Sequence, residues 1–337
     1  MNQVLAKAKN VAIAGATGAV GREFLSVIDR LGYEVNNMKL LASKRSAGNK
    51  VTFRGEELVV EELTENSFKD IEVALFSAGG SITKAFADSV VNSGAVLIDN
   101  SSAYRMNPDV PLIVPEINPE AAAQHKGIIA NPNCSTIIML MAVFPLHQKY
   151  PVKRIVCSTY QAASGAGQAA MEELKDSTRA YLDNKDFKPE LMPYPYGFNL
   201  FSHNSDIDET GYNQEERKMI NETRKILNDE NIQVTATCVR VPVLRAHSES
   251  INIEFHDKRP SVEECRELID AFEGVRVVDD RQKNYFPMPI DASEEYDCLV
   301  GRIRNDLSNE QAIDLFVAGD QLLKGAALNA VQIAQLL

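Results

Sequence analysis

No run of apolar residues in this 337-residue chain approaches the length of about 20 that a bilayer-spanning helix needs. The first residues, Met1-Asn2-Gln3-Val4-Leu5-Ala6-Lys7, lack the charged region and apolar core of a secretory signal. Cysteine is sparse and scattered. Cys134, Cys157, Cys238, Cys265 and Cys298 are odd in number and form no CxxC pair, so neither a disulfide framework nor a structural zinc site is expected. No internal repeat and no low-complexity segment is present. Positive charge is also short: 35 Lys and Arg against 47 Asp and Glu leave a net charge of −12, which argues against nucleic acid or an anionic membrane as partner. Together these absences point to a cytoplasmic protein with reduced thiols and no metal centre. An anionic small molecule can still be held by a local group of Arg and Lys.

The length suggests two domains. Near the N-terminus, Asn10-Val11-Ala12-Ile13-Ala14 reads as a buried strand, followed by Gly15-Ala16-Thr17-Gly18-Ala19-Val20-Gly21 and a helical stretch, Arg22 to Leu31. Strand, glycine loop and helix form the phosphate-binding unit of a Rossmann domain, in which the backbone approaches a pyrophosphate and the helix N-terminus faces its charge. Gly15, Thr17, Gly18, Ala19 and Val20 are the candidate contacts. The spacing is GxxGxxG rather than GxGxxG, so a bare glycine turn is the alternative. The second strand, Met38 to Ala42, ends without the acid that would hold the ribose of NAD. Ser43-Lys44-Arg45-Ser46 stands there instead. It suits the 2′-phosphate of NADP, or else it is a solvated basic loop. Val73 to Phe76 and Val96 to Asp99 continue a strand–helix alternation that predicts a parallel sheet. The loops that follow them, with Ser77 and Gly79 in the first, are candidate cofactor neighbours or plain connections. Pro108, Pro111, Pro115 and Pro119 disfavour helix in the next stretch.

Cys134 follows Ile128-Ile129-Ala130-Asn131-Pro132-Asn133 and precedes an apolar run of helical length, Ile137 to His147. It is therefore placed at a helix N-terminus, where unpaired N–H groups and the helix dipole favour a thiolate nucleophile. Simple packing of the thiol is the alternative. The crossing between domains is expected at Asn131 to Cys134.

In the second domain Val152 to Tyr160 reads as a strand, and Gln161-Ala162-Ala163-Ser164-Gly165-Ala166-Gly167 as a loop open to a ligand or a glycine-containing entry to the helix Gln168 to Leu182. Glu215 and Lys218 share one face of a helix ending at Leu227, a spacing that usually makes an exposed salt bridge. Arg240 lies in the β-rich run Val234 to Val243; buried there, it needs an anionic partner and is a candidate carboxylate clamp. His247 has the intrinsic pKa for proton transfer, although a surface histidine in a loop is the commoner situation. Ile251 to Phe255 alternates, predicting a broad mixed sheet with helices on one face. Gly319 to Leu337 reads as one closing helix that either carries Asn329 toward the cofactor or simply docks.

Taken together, the glycine loop, Asn131-Pro132-Asn133-Cys134-Ser135-Thr136, Gln161 with Ser164-Gly165-Ala166-Gly167, and Arg240-Val241-Pro242-Val243 followed by His247 resemble aspartate-semialdehyde dehydrogenase along the whole chain. The resemblance implies a Rossmann-type NADP-binding domain, residues 1–133 completed by the helix 319–337. It implies an α+β catalytic and dimerisation domain with a large mixed sheet at 134–318. It also implies reductive dephosphorylation of L-4-aspartyl phosphate to L-aspartate 4-semialdehyde, reversible and with NADP, in lysine (diaminopimelate), methionine and threonine biosynthesis. Cys134 would carry an acyl-thioester, His247 would move the proton and Gln161 would orient the intermediate. Arg240 would grip the substrate carboxylate and Glu215 its ammonium group. Arg105, Asn133 and Lys218 would hold phosphate. Gly165 and Asn329 would meet the nicotinamide end, with Ser43, Arg45, Ser46, Ser77, Gly79 and Ser164 among the other cofactor contacts. A homodimer is implied, or a tetramer. The rivals are N-acetyl-γ-glutamyl-phosphate reductase, with the same chemistry on a longer acylated substrate, and a noncatalytic NADP-sensing protein.

Overall fold

The computed structural model describes residues 9–337; the stretch Met1–Lys7, read above for a targeting signal, lies outside the described residues. The chain divides into two compact units. One runs up to Pro132 and takes in Ala326–Leu337, and the other is Asn133–Gly325.

The first unit opens with β1 (Lys9–Ala14), α1 (Ala19–Arg30) and β2 (Val35–Ala42), then β3 (Lys50–Phe53) and β4 (Glu56–Glu62). β5 (Val73–Phe76), α2 (Gly80–Asn92), β6 (Val96–Asp99) and β7 (Ile128–Ala130) follow. The strands form one sheet in the order β3-β4-β2-β1-β5-β6-β7, parallel except for the β3–β4 pair. All four residues of β5, Val-Ala-Leu-Phe, are buried, as a parallel strand covered on both faces requires. The chain leaves β1 toward β2 on one side and returns to β5 on the other, so the β1/β5 boundary is a switch point, where α/β sheets bind ligands. Gly15–Gly18 and Ser77–Gly79 both leave the carboxyl ends of these two strands. The β3–β4 hairpin was not anticipated. Its turn is Arg54-Gly55, both at positive φ (49° and 84°), a geometry usually announced by Asn-Gly.

The second unit begins with α3 (Cys134–His147) and β8 (Val152–Gln161), then α4 (Gln168–Leu182), β9 (Phe201–Ser202) and α5 (Gln214–Leu227). β10 (Gln233–Arg240), β11 (His247–Phe255), α6 (Val262–Asp270), β12 (Val275–Val277), α7 (Pro289–Ala292), β13 (Cys298–Asn305) and β14 (Ala312–Gly319) complete it. Its sheet has the order β12-β13-β14-β11-β8-β10-β9 and is mixed, with β8–β10 and β12–β13 parallel and the other pairs antiparallel. α3 packs against α5, α6 and the central strands. It is apolar on all sides and nearly all of it is buried.

The single closing helix expected from Gly319 is corrected. Residues 312–319 pair with β11 as β14, and Asp320 ends the strand by accepting the N–H groups of Leu322 and Leu323. A π-helical turn, Leu323–Ala327, follows, and only then α8 (Leu328–Gln335), which packs on α1 and β6 of the first unit. The apolar spacing of 322–336 is helical, but β-branched and aromatic residues before it favour the sheet.

Candidate active site

Cys134 is the first residue of α3 and is partly exposed. Pro132 cannot extend a helix backward, and Asn133 caps it: its Oδ1 accepts the N–H of Ser135 at 3.0 Å and of Thr136 at 3.2 Å. Two carboxylates on α5 fix Asn133 in turn. Glu222 Oε2 accepts its backbone N–H at 2.6 Å, and Glu215 Oε1 accepts its Nδ2 at 2.8 Å. The residue before the cysteine is thus held at four points.

Gln161, the last residue of β8, donates from Nε2 to Ser135 Oγ at 3.2 Å and to Glu215 Oε1 at 3.1 Å. Lys218 Nζ meets Glu215 Oε2 at 3.0 Å. The exposed salt bridge suggested by spacing is therefore corrected: Glu215 is only 4% exposed and sits at the centre of a polar knot. Burial alone would raise its pKa, but Lys218, His203 and the Asn133 hydrogen bond outweigh burial and keep it an anion.

Parallel pairing of β8 with β10 sets Arg240 opposite Gln161. Arg240 is 4% exposed and touches Asn204 Oδ1 at 3.2 Å, the Ala162 carbonyl at 3.3 Å and His203 Nε2 at 2.9 Å. None of these partners is a carboxylate. Among the described residues this buried guanidinium is held by neutral groups, a setting that leaves its charge unmatched and could accommodate an anion.

His247 also departs from the surface-loop expectation. It begins β11, opposite Gly319, and is fully buried. Its Nδ1 accepts the N–H of Ala162 at 3.0 Å, and its Nε2 has no partner among the described residues. Burial first, and then the nearby Arg240 charge, push its pKa down to about 3. Ala246 before it is held in the left-handed region at φ 68°, and its N–H donates to Gln321 Oε1 at 2.9 Å. Gln321 also donates to Ser164 Oγ, which ties the Ser164-Gly165 turn to the entry of β11. A Cβ on Gly165 would come within 3.0 Å of His247 Nε2 and 3.3 Å of Arg240 Nη1, so only glycine leaves the imidazole room there. A Cβ on Gly325, inside the π-helical turn, would lie 2.7 Å from Cys134 Cβ. π-turns concentrate at functional sites, and this one brings bare backbone against the cysteine.

The second unit therefore gathers Cys134, Asn133, Gln161, Ser164, Gly165, Glu215, Lys218, Arg240 and His247. His203, Asn204, Gln321 and Gly325 belong to the same constellation and were not foreseen. Their polar or glycine character carried no periodic signal, and β-pairing brings them in from distant positions.

Arg105, Asn329 and the remaining cofactor candidates belong to the first unit. Arg105 is 7% exposed, with Nε on the Asn131 carbonyl at 2.9 Å and Nη2 on the Asn100 carbonyl at 3.0 Å. α1 starts after Gly18 with no side-chain cap and no acid in its first turn, so no side chain competes with an anion there. Ser43, Lys44 and Arg45 are exposed in the turn after β2, and the backbone N–H of Ser46 closes it on the Ser43 carbonyl at 2.8 Å. These residues fit a phosphorylated dinucleotide.

A parallel dinucleotide-type sheet in one unit and, in the other, a mixed sheet beside a helix-start cysteine, a buried histidine and a buried arginine have the make-up of an α/β oxidoreductase. Residues 10–125 match the NAD binding domain of semialdehyde dehydrogenase, and residues 143–324 match its dimerisation domain. Aspartate-semialdehyde dehydrogenase of Synechocystis sp. is 56% identical over 327 residues, covering 97% of this chain and 96% of that protein. The Bacillus subtilis protein of that name is 46% identical, covering 97% and 96%. The crystal structure of aspartate semialdehyde dehydrogenase II from Vibrio cholerae, complexed with ASA, superposes with a TM-score of 0.95 at 40% identity, covering 98% of each chain. The chain belongs to the aspartate-semialdehyde dehydrogenase family.

Proposed function

We propose that this chain catalyses the reversible, NADP-dependent reductive dephosphorylation of L-4-aspartyl phosphate to L-aspartate 4-semialdehyde through an acyl-thioester on Cys134. One observation supports the site most strongly. Ser135, next to the cysteine, is bonded to Gln161, and the following residue, Ala162, is bonded to His247, so nucleophile and proton carrier are anchored to one strand end.

In the biosynthetic direction Cys134 Sγ attacks the acyl-phosphate carbon, phosphate leaves, and a thioester remains. When bound, the dinucleotide supplies or accepts the hydride. His247 presents its Nε2–H to the substrate oxygen as negative charge develops there, and that hydrogen bond is released as the carbonyl re-forms. A neutral imidazole, held so by burial, is the right donor for an oxyanion in a dry site. Departure of the Cys134 thiolate then frees the aldehyde, at the positive end of α3. Gln161 orients the thioester. Arg240 holds the substrate carboxylate, supplying the anion its neutral surroundings lack, and Glu215 takes the ammonium group. Arg105, Asn133 and Lys218 hold the phosphate.

The dinucleotide is NADP. Gly15, Thr17, Gly18, Ala19 and Val20 surround its pyrophosphate, Ser43, Arg45 and Ser46 its 2′-phosphate, and Ser77, Gly79, Ser164, Gly165 and Asn329 the remainder toward the nicotinamide. The protein works as a cytoplasmic homodimer. The face of the second sheet opposite α3 supports this, since Tyr160 is 39% exposed there with the Phe316 ring 6.1 Å away.

The test is NADP reduction by L-aspartate 4-semialdehyde with and without inorganic phosphate. Phosphate-dependent turnover is expected with this aldehyde and not with N-acetylglutamate semialdehyde. The opposite preference would overturn the substrate assignment.

A further inference from the structure

Asn131 lies at the centre of a buried hydrogen-bonded chain within the first unit. Its side-chain Oδ1 accepts Nδ2 of Asn329 at 2.6 Å. Its Nδ2 donates to Asn100 Oδ1 at 2.6 Å and to the Ala326 carbonyl at 3.2 Å. Its carbonyl accepts Arg105 Nε at 2.9 Å, and Arg105 Nη2 reaches the Asn100 carbonyl at 3.0 Å. Its own N–H donates to the Asp99 carbonyl at 2.8 Å. Asn131 and Asn329 are fully buried.

Three pieces of chain remote in sequence thus meet through one amide: the loop after β6, the turn after β7 and the start of α8. The donors and acceptor of Asn131 are all engaged. A turn of this amide toward either end breaks its bond to the other, and such breaks are costly in a buried site.

We propose that Asn131, together with Asn100, is a positioning residue that couples phosphate affinity to dinucleotide affinity. The inference rests on the reading of Arg105 as a phosphate ligand and Asn329 as a dinucleotide ligand. Each ligand pulls on one end of this chain and favours the amide arrangement that the other ligand needs, so the second binds more tightly. The coupling is reciprocal, as linkage requires.

The experiment is calorimetric titration of the full chain with NADP, with and without saturating inorganic phosphate. In the unsubstituted protein phosphate is expected to tighten NADP by about five-fold or more. In Asn100→Ala and Asn131→Ser that ratio falls to about one, because the shared chain on which the coupling depends is cut. The rate of Cys134 alkylation by iodoacetamide stays unchanged in both, which general loosening of the fold would not allow. Asn100 is partly exposed, so Asn100→Ala decides the matter alone if Asn131→Ser does not fold. Coupling retained in Asn100→Ala, or absent from the unsubstituted protein, overturns the proposal. Unchanged phosphate affinity in Arg105→Lys instead overturns the ligand reading beneath it, which separates the two failures.

Discussion

The backbone N–H of Ala162 points at Nδ1 of His247 across 3.0 Å. A peptide N–H only donates, so Nδ1 accepts, and the neutral ring carries its proton on Nε2, the atom that faces Gly165. One backbone bond therefore selects the tautomer and aims the proton.

A pH signature follows from this. The pKa of His247 falls from 6.5 to about 3, with burial the largest cause. Between those values the unfolded chain binds the proton and the folded one does not. The contribution to stability is therefore full above pH 6.5 and is lost as pH falls toward 3, at about 1.4 kcal/mol per pH unit. His247→Asn should flatten the acid side of a melting-temperature profile. It should also lower kcat by roughly 10²- to 10⁴-fold. A profile as steep in the variant as in the parent would contradict the assignment.

Gly325→Ala tests the close approach of the π-helical turn to the nucleophile. The added methyl meets Cys134 Cβ at 2.7 Å, closer than real carbon contacts allow. Iodoacetamide should modify the variant at an altered rate, and kcat should drop by about ten-fold or more, as small misplacements of reacting groups do. NADP affinity, read by calorimetry, should hold. Full activity would show that the turn yields without disturbing the cysteine.

Glu249 offers a second pH-dependent test, away from the chemistry. It is fully buried in β11, and among the described residues its side chain's one hydrogen-bond partner is Cys157 Sγ at 3.7 Å. Burial drives its pKa well above 4.5, so the folded protein holds it protonated. As pH rises past 4.5 the unfolded chain releases the proton while the folded one retains it, and stability falls. Glu249→Gln keeps the shape without that cost. Its melting temperature should gain on the parent as pH rises from 5 to 8; a constant difference would refute the protonated state.

Much of this was legible in the residues. Val73–Phe76, Val96–Asp99 and Gln168–Leu182 stand at the predicted bounds, because apolar runs and helical spacing are local signals. Cys134 begins a helix, as the apolar run of helical length after it indicated. What escaped was set by tertiary pairing. Glu215 looks like half of a surface ion pair until Asn133 and Gln161 fold onto it. His247 looks like a loop residue until β11 takes it between β8 and β14. Gly319 looks helical until its strand pairs with β11. Asn131 stands inside the cysteine motif, yet its hydrogen bonds go to partners 31 and 198 residues away.

The central claim is the acyl-thioester on Cys134. The most direct measurement mixes the protein with L-aspartate 4-semialdehyde and NADP without phosphate, then follows NADPH and the intact protein mass together. A burst of NADPH equal to the number of active sites is expected, with one aspartyl group on the peptide containing Cys134. Both should be absent in Cys134→Ala, and phosphate should discharge the adduct in the parent. Turnover in Cys134→Ala, or an adduct on another residue, would contradict it.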